Sequence, residues 1–301
     1  MRGIRGAYMI SKLDLYKVFC EVAKCESFSK GGKALYMTQP AVSQAIMQLE
    51  EELEVRLFTR TSRGVTLTNE GKLLLEHVNS AINLINAGEE KILESKNVML
   101  GDLKIGVGDA ISRYFLLPYL DSFHNQYPNI KLKIVNKTTL ELCAMLKSGA
   151  IDIAICNFPI EDSALETKKC MEVQDIFVCG DKYKSTLSMP LSFEELAKLP
   201  LILLDTKSNS RKYVEKYILS KGVKITSEIE LGSHDLLLEF AKINLGIACV
   251  IKEFSQEYFD NGSLFEVTTV EEIPKRSIGF CYLKSVSLSP ASKKFVEILE
   301  N

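Results

Sequence analysis

Residues 38 to 49, Thr-Gln-Pro-Ala-Val-Ser-Gln-Ala-Ile-Met-Gln-Leu, constrain this chain more than any other stretch. Thr38 is a strong N-cap, and Pro40 falls in the first turn, where its missing N–H has no intrahelical partner to lose. A helix therefore starts at a defined residue. Val42, Ala45, Ile46, Leu49 and Leu53 recur at helical spacing as one apolar stripe. Gln39, Ser43, Gln44, Met47 and Gln48 lie elsewhere around the cylinder, with no carboxylate before Glu50. Amides and a hydroxyl both donate and accept, as base edges in a DNA major groove require. One face is predicted to pack, and the other to enter a groove.

The flanking segments fit that reading. Leu15, Val18, Phe19 and Val22 predict a first amphipathic helix, Ser27 or Ser29 caps a second ending near Leu35, and Tyr36 and Met37 form a turn. Gly31 and Gly32 weaken the second helix by up to about 1 kcal/mol each relative to Ala, but let two helices approach closely. Residues 59 to 68 place a Gly turn between a basic pair and an alternating run, which reads as a wing. Arg60 and Arg63 are expected to reach phosphates or an adjacent minor groove, with two solvated arginines as the alternative. Thr68 then caps a helix predicted from Asn69 to Ser95, with Leu74, Val78, Ala81, Leu84 and Ile85 on one side. At 1.5 Å per residue it is roughly 40 Å long, and it must bury its stripe on something. A second copy of itself is the economical partner, and the carboxy-terminal part of its own chain is the alternative.

At 301 residues the chain exceeds one typical core. Its formal charge of −2 hides an asymmetry: residues 1 to 72 hold 11 Lys and Arg against 8 Asp and Glu, the remainder 26 against 31. Only the front end leans toward nucleic acid. No apolar run approaches the roughly 20 residues of a membrane span, and the leader with Arg2 and Arg5 lacks a signal peptide's apolar core. No membrane association and a cytoplasmic location are expected. The first dozen residues read as disordered, with Met9 as an alternative start. The eight cysteines, Cys20, Cys25, Cys143, Cys156, Cys170, Cys179, Cys249 and Cys281, form no Cys-x-x-Cys pair, and there are only three histidines. Metal binding is not expected. Reduced thiols acting as small hydrophobes fit better than redox sensing.

From Gly101 the texture changes to strands alternating with helices. Leu103 to Val107, Lys131 to Val135 and Ile151 to Ile155 read as strands, with helices at Ser112 to Tyr127 and Leu140 to Lys147. A second set comprises strands at Phe177 to Cys179, Leu201 to Leu204, Ile225 to Leu231 and Gly246 to Val250, and helices at Arg211 to Ser220 and His234 to Ile243. Ser289 and Pro290 open a final helix. Such alternation predicts an α/β protein of largely parallel sheets in two lobes, with a ligand cleft where strand ends and helix starts converge. Gly106-x-Gly108 lacks the third glycine of a dinucleotide loop, since Ile111 stands there, and no Walker A loop, nucleophile elbow or paired metal-ligand spacing occurs. No enzymatic activity or cofactor is expected. A small-molecule-binding protein or enzyme on an α/β scaffold would leave residues 38 to 63 unexplained.

Thr-Gln-Pro-Ala-Val-Ser-x-x-Ile-x-x-Leu-Glu at 38 to 50, followed by Leu53, Leu57, Phe58, Arg60, Arg63, Leu67, Thr68 and Gly71, resembles the LysR-type transcriptional regulators of bacteria. The resemblance covers about Leu13 to Leu299. It implies a winged helix-turn-helix domain at 9–68, a linker and dimerisation helix at 69–97, and a periplasmic-binding-protein-like effector domain at 101–301. Lobe I of that domain would be about 101–171 with 275–301, and lobe II about 172–274. The family usually has Ala-Ala at Gly31 and Gly32, and Gly at Glu54. By position, Gln39, Pro40, Ser43, Gln44 and Met47 would approach the bases of double-stranded promoter DNA, while Thr38, Arg60 and Arg63 hold the backbone beside them. Also implied are a homodimer or homotetramer, half-sites about one helical turn apart, RNA polymerase as a partner, and a small-molecule effector.

For the effector, the resemblance points to Asp109 and Ser112 after the first strand and to Thr138 and Thr139 after the second, the threonines capping a helix at the same time. Ser208-Asn209-Ser210-Arg211 is similar to a Gly-Ser-Gly-Thr-Arg stretch in the branch regulating sulfur assimilation and carbon fixation. Hydroxyls, backbone N–H groups at a helix start and an Arg favour an anion, so a small anion or carboxylate is the expected effector class. An N-cap with a solvated arginine is the alternative. His234 reads as a polar wall residue of the same cleft. Peroxide-sensing members of the family place a reactive cysteine close to Asn209, and this chain has none there.

Overall fold

A computed structural model describes residues 13–61, 64–95, 101–184 and 189–300, so the reading of the first dozen residues lies outside the described ones. Two units are distinguished, one ending at Glu90 and one beginning at Lys91. The first contains α1 (Leu13–Cys25), α2 (Phe28–Ala34), α3 (Gln39–Leu53), a hairpin of β1 (Phe58–Thr61) and β2 (Gly64–Leu67), and the start of α4 (Asn69–Ser95). Ser27 caps α2 by accepting from the Lys30 N–H. Thr68 accepts from the Gly71 N–H and donates to the Arg56 carbonyl, which ties the start of α4 to the chain entering β1.

Phe19, Val22, Val42, Ile46, Leu49 and Leu57 form the core of this unit, with the Phe19 and Phe58 rings 5.4 Å apart. A Cβ on Gly32 would stand 2.9 Å from the Met37 carbonyl oxygen, so the bare glycine is what lets α2 lie this close to its turn. Leu53 does not join the stripe expected of it and stays 36% exposed. Glu54 adopts a left-handed conformation immediately after it, so the chain turns away, and Glu50 takes the inward position instead.

In the second unit, β3 (Gly101–Val107) leads into α5 (Asp109–Ile111), which continues through a π-helical stretch (Ser112–Leu116) into α6 (Leu117–Gln126). Next come β4 (Ile130–Asn136), α7 (Thr139–Lys147), β5 (Ile153–Asn157) and β6 (Leu165–Val173). The chain then crosses to a second lobe. This comprises β7 (Asp175–Cys179), α8 (Asp181–Lys184), α9 (Phe193–Leu196), β8 (Leu201–Leu204), α10 (Asn209–Ser220), β9 (Ile229–Leu231), α11 (His234–Lys242), β10 (Ile247–Ile251), α12 (Gln256–Asp260) and β11 (Phe265–Val267). It returns through β12 (Arg276–Leu283) and α13 (Pro290–Glu300).

Each lobe holds a five-stranded sheet, ordered β4-β3-β5-β12-β6 and β11-β7-β10-β8-β9. The sheets are mixed rather than largely parallel. β3 runs parallel to β4 and β5, and β8 to β9 and β10, but β12 is antiparallel to β5 and β6, and β7 to β10 and β11. The cause is the double crossing: β6 leads out of the first lobe and β12 leads back into it, so these neighbours oppose one another. Leu103, Ile105, Phe123, Ile153, Phe280 and Phe295 make the first lobe's core, and α13 seats Phe295 edge-on against Phe123 at 5.3 Å. Phe177, Leu201, Val214, Ile218 and Ile247 pack one face of the second sheet, and Leu237, Leu238 and Ala241 of α11 the other. Among the described residues no helix is long and apolar enough to cross a membrane.

Candidate functional site

The first unit presents one polar helix face. Thr38 is extended (φ −74°, ψ 148°) and accepts from the Ala41 N–H at 3.4 Å, so α3 begins where its cap dictates. Thr38, Gln39, Pro40, Gln44 and Met47 are exposed and Ser43 half-buried, and the Gln39 amide donates to the Ser43 hydroxyl at 3.0 Å. Glu50 is turned inward. It accepts from the N–H groups of Leu57 and Phe58 at 2.7 and 3.2 Å and from the Arg56 guanidinium at 2.8 Å, so it fastens the chain entering β1, while Glu51 and Glu52 stay exposed at the end of α3. Arg60 lies on β1, and Arg63 falls outside the described residues. Tyr36, in the turn before α3, is almost wholly exposed with φ 56°, and nothing in its local sequence distinguished it.

In the second unit a cavity of about 300 Å³ opens between the lobes, at the size expected for a small metabolite. Asp109, Thr138, Thr139, Ser208, Asn209, Ser210, Arg211 and His234 all line it. Ser112 does not. The helix starts at Asp109 rather than at Ser112, so Ser112 is a turn along and bonds back to the Gly108 carbonyl. The Thr138 hydroxyl is spent in a capping box, donating to the Glu141 carboxylate at 2.7 Å and accepting from the Glu141 N–H. Thr139 makes no side-chain hydrogen bond of this kind among the described residues. Ser208 caps α10 by accepting from the Arg211 N–H.

Arg211 is not the free anion anchor its position suggested. Its guanidinium is buried and donates to Glu215 at 2.7 Å, to Glu230 at 2.8 Å and to the Leu204 carbonyl at 2.7 Å. The spacing to Glu215, one helical turn, makes the first of these pairs a local one. Ser210 accepts from Arg276, which also donates to Asn157 and holds Asp175 through two bonds. None of Asn157, Asp175, Asp205, Cys249 or Arg276 was anticipated as part of the site. A run of apolar residues after Arg276 could have flagged β12, but no local signal pairs Arg276 with a carboxylate 101 positions away.

His234 is 4% exposed and borders the cavity. Its Nε2 accepts from the Ile251 N–H at 3.0 Å, so the proton resides on Nδ1, and Nδ1 is buried without a hydrogen-bond partner among the described residues. Burial drives its pKa down to about 4, so the ring is neutral at pH 7. Asp235, next along, accepts from Tyr114 Oη at 2.6 Å and Arg113 at 2.8 Å, which joins α11 of one lobe to the π-helical stretch of the other. Tyr114 stacks on Phe254 at 4.9 Å beside this contact. Cys249 reaches the cavity wall with its thiol pushed well above the ordinary range by burial, so it is a poor nucleophile. No disulfide links the eight thiols, and no metal-binding group of His, Cys, Asp and Glu occurs among the described residues.

Residues 13–72 match the family described as "Bacterial regulatory helix-turn-helix protein, lysR family", and residues 97–301 match "LysR substrate binding domain". The chain is 26% identical over 293 residues to YbhD of Escherichia coli, an HTH-type transcriptional regulator of uncharacterised function, covering 97% of this chain and 92% of YbhD. It superimposes on a full-length OxyR variant from Pseudomonas aeruginosa with a TM-score of 0.67 at 20% identity, covering 95% and 92% of the two chains. A full-length CbnR solved in complex with its target DNA gives the same TM-score at 17% identity, with 96% and 98% covered. At these identities the two structures show a shared fold.

Proposed function

The chain belongs to the LysR family of bacterial DNA-binding transcriptional regulators, and on that premise we propose that α3 reads promoter DNA while a small carboxylate-bearing effector in the interlobe cavity sets its activity. The observation that carries the first half is the polar face of α3 at Gln39, Gln44 and Met47, with Ser43 half-buried beside Gln39, on the part of the helix that precedes its carboxylates Glu50, Glu51 and Glu52. Amide side chains there meet the donor and acceptor pattern of a major groove, and Thr38, Arg60 and Arg63 hold the flanking backbone. The fold-mate CbnR was solved on its target DNA, which supports the same use of this unit.

On α4, Leu73 and Ile92 are each more than 60% exposed and Ile85 is 39% exposed. Apolar surface of that kind supports pairing with a second copy, which would present two α3 helices to a dyad-symmetric site in a dimer or tetramer. RNA polymerase is then the partner that reads the outcome, in the cytoplasm. The effector's carboxylate is met by the hydroxyls of Thr139 and Ser210 and by N–H groups at the starts of α7 and α10, which replace the Arg211 contact. Binding shifts the closure of the lobes only by its differential affinity for the two states, and thereby the spacing of the paired wings.

The test is a band-shift series on the region upstream of the gene and on random DNA across a range of salt. A regulator binds its own region more tightly, with affinity falling steeply as salt rises. Equal affinity for both DNAs would overturn the reading.

A further inference from the structure

The charges around the interlobe cavity are unbalanced in a way the carboxylate reading alone does not use. Five carboxylates line it, from Asp109, Glu141, Asp175, Asp205 and Glu215, against two cations, Lys137 and Arg211. Three of the five are answered: Glu141 by Lys137 at 3.7 Å, Glu215 by Arg211, and Asp175 by Arg276 behind the wall. Asp109 and Asp205 are not. Among the described residues the Asp109 carboxylate accepts from the Asn136 amide alone, at 3.1 Å, and the Asp205 carboxylate from the Lys207 N–H alone, at 2.8 Å. One belongs to each lobe. No cation in the lining is left over, because Arg211 is shared between Glu215 and Glu230.

The uncharged donors are on other residues of the lining. The Thr139 hydroxyl and the Ser210 hydroxyl hydrogen have no acceptor among the described residues, and each stands at the start of a helix of nine residues or more. At the start of a third helix, α11, the Nδ1–H of His234 is buried with no acceptor among the described residues, and His234 itself lines the cavity. A buried donor with no partner is costly to leave unmade, so it marks a place where an acceptor is missing. The cavity therefore offers hydrogen-bond donors without charge to an anionic group, and carboxylates without counterions to a cationic one.

From this we infer that the effector is a small zwitterion of the amino-acid class, its carboxylate taken by the helix starts and its ammonium by Asp109 and Asp205. The inference rests on reading the cavity as the effector site. A purely anionic ligand such as sulfate would enter next to two uncompensated carboxylates, and a zwitterion relieves that repulsion by its own ammonium. Leu203, Ile225 and Val250 supply apolar wall for a short side chain.

The experiment uses the full chain and titration calorimetry after a thermal-shift screen of the twenty protein amino acids, ornithine, sulfate and phosphate. The best amino acid is then compared with its 2-hydroxy acid, its N-acetyl derivative and its decarboxylated amine. Each of these three is expected to bind at least tenfold more weakly. In Asp109→Asn with Asp205→Asn the preference for the amino acid over its 2-hydroxy acid should collapse toward unity, with each single variant checked for an unchanged melting temperature. A 2-hydroxy acid or inorganic anion that binds the parent as tightly as the amino acid, or a preference that survives in the double variant, overturns the zwitterion. If that tighter anion is lost in Thr139→Tyr, the cavity remains an effector site and only the ligand class was wrong. If no amino acid raises the melting temperature the zwitterion fails, and the carboxylate reading of the cavity fails with it only if 2-hydroxy acids and dicarboxylates screened alongside leave the melting temperature unchanged as well.

Discussion

Arg276 grips Asp175 through two parallel hydrogen bonds, Nε to Oδ2 at 2.5 Å and Nη2 to Oδ1 at 2.8 Å, at the point where both chain crossings between the lobes meet. Asp175 is the first residue of β7, entering the second lobe, and Arg276 the first of β12, leaving it. The same guanidinium reaches Asn157 of the first lobe and Ser210 at the start of α10 in the second. One buried cation thus ties the crossover to the cavity wall, and Ser210 is one side chain away from the residues where the chain passes between the lobes.

Both members of that pair are almost completely buried, so removing one charge leaves the other without compensation. Asp175→Asn is expected to cost about 3–5 kcal/mol of stability. Asp175→Leu combined with Arg276→Met should cost less than the single change, because no lone charge remains. Urea unfolding of the full chain measures both, and a single variant as stable as the parent would show that the pair is not what holds the crossover.

On α3, Gln39→Ala should relax sequence preference at one base position by about 1–3 kcal/mol, read as the ratio of affinities for matched and mismatched sites. Equal losses on specific and random DNA would count against a base contact. Arg63→Ala should weaken binding to all sequences and flatten the dependence of affinity on salt. An unchanged slope would mean that it touches no phosphate.

Glu50 satisfies two backbone donors that β-strand pairing leaves open, at Leu57 and Phe58. Glu50→Ala strands both, at about 1–3 kcal/mol for each buried donor. DNA binding should fall with the folded population, and Glu50→Gln, which keeps an acceptor oxygen, should recover part of it. Full DNA affinity in Glu50→Ala at 37 °C would contradict this.

Glu54 occupies the left-handed position that ends α3, with φ 57° and ψ 29°. A side chain there costs roughly 1–2 kcal/mol, and glycine gives back part of the gain through its freer unfolded chain. Glu54→Gly is therefore expected to stabilise the protein by about 1 kcal/mol. A lowered urea midpoint with unchanged slope would refute it.

The imidazole of His234 titrates near 6.5 in an unfolded chain, and burial lowers this to about 4 in the native state. As pH falls the unfolded chain takes up the proton first, so stability is undiminished above pH 6.5, declines between 6.5 and 4, and levels off below. The loss attributable to this ring is about 2 kcal/mol by pH 5. Carboxylates also titrate there, so the readout is the difference between parent and His234→Gln in the change of urea midpoint from pH 7.5 to pH 5. Parallel changes in the two proteins would rule out a buried neutral ring.

Much of this protein follows from local rules that act within a few residues. The Thr38 cap with Pro40, the 3.6-residue stripe of Val42, Ile46 and Leu49, and the Ser208 cap of α10 are set by backbone hydrogen bonds and side-chain periodicity, and each is legible in the chain alone. The helix starts and the polar face of α3 come from such rules, and the family resemblance points to eight of the residues that line the cavity. Three-dimensional packing decided the rest, because the energies concerned couple residues far apart in sequence. Glu50 turned inward to meet Leu57, Arg211 was consumed by Glu230, and Arg276 reached Asp175 across 101 positions. Whether a charged side chain is free or spent depends on which partners the fold delivers to it, and no spacing along the chain encodes that.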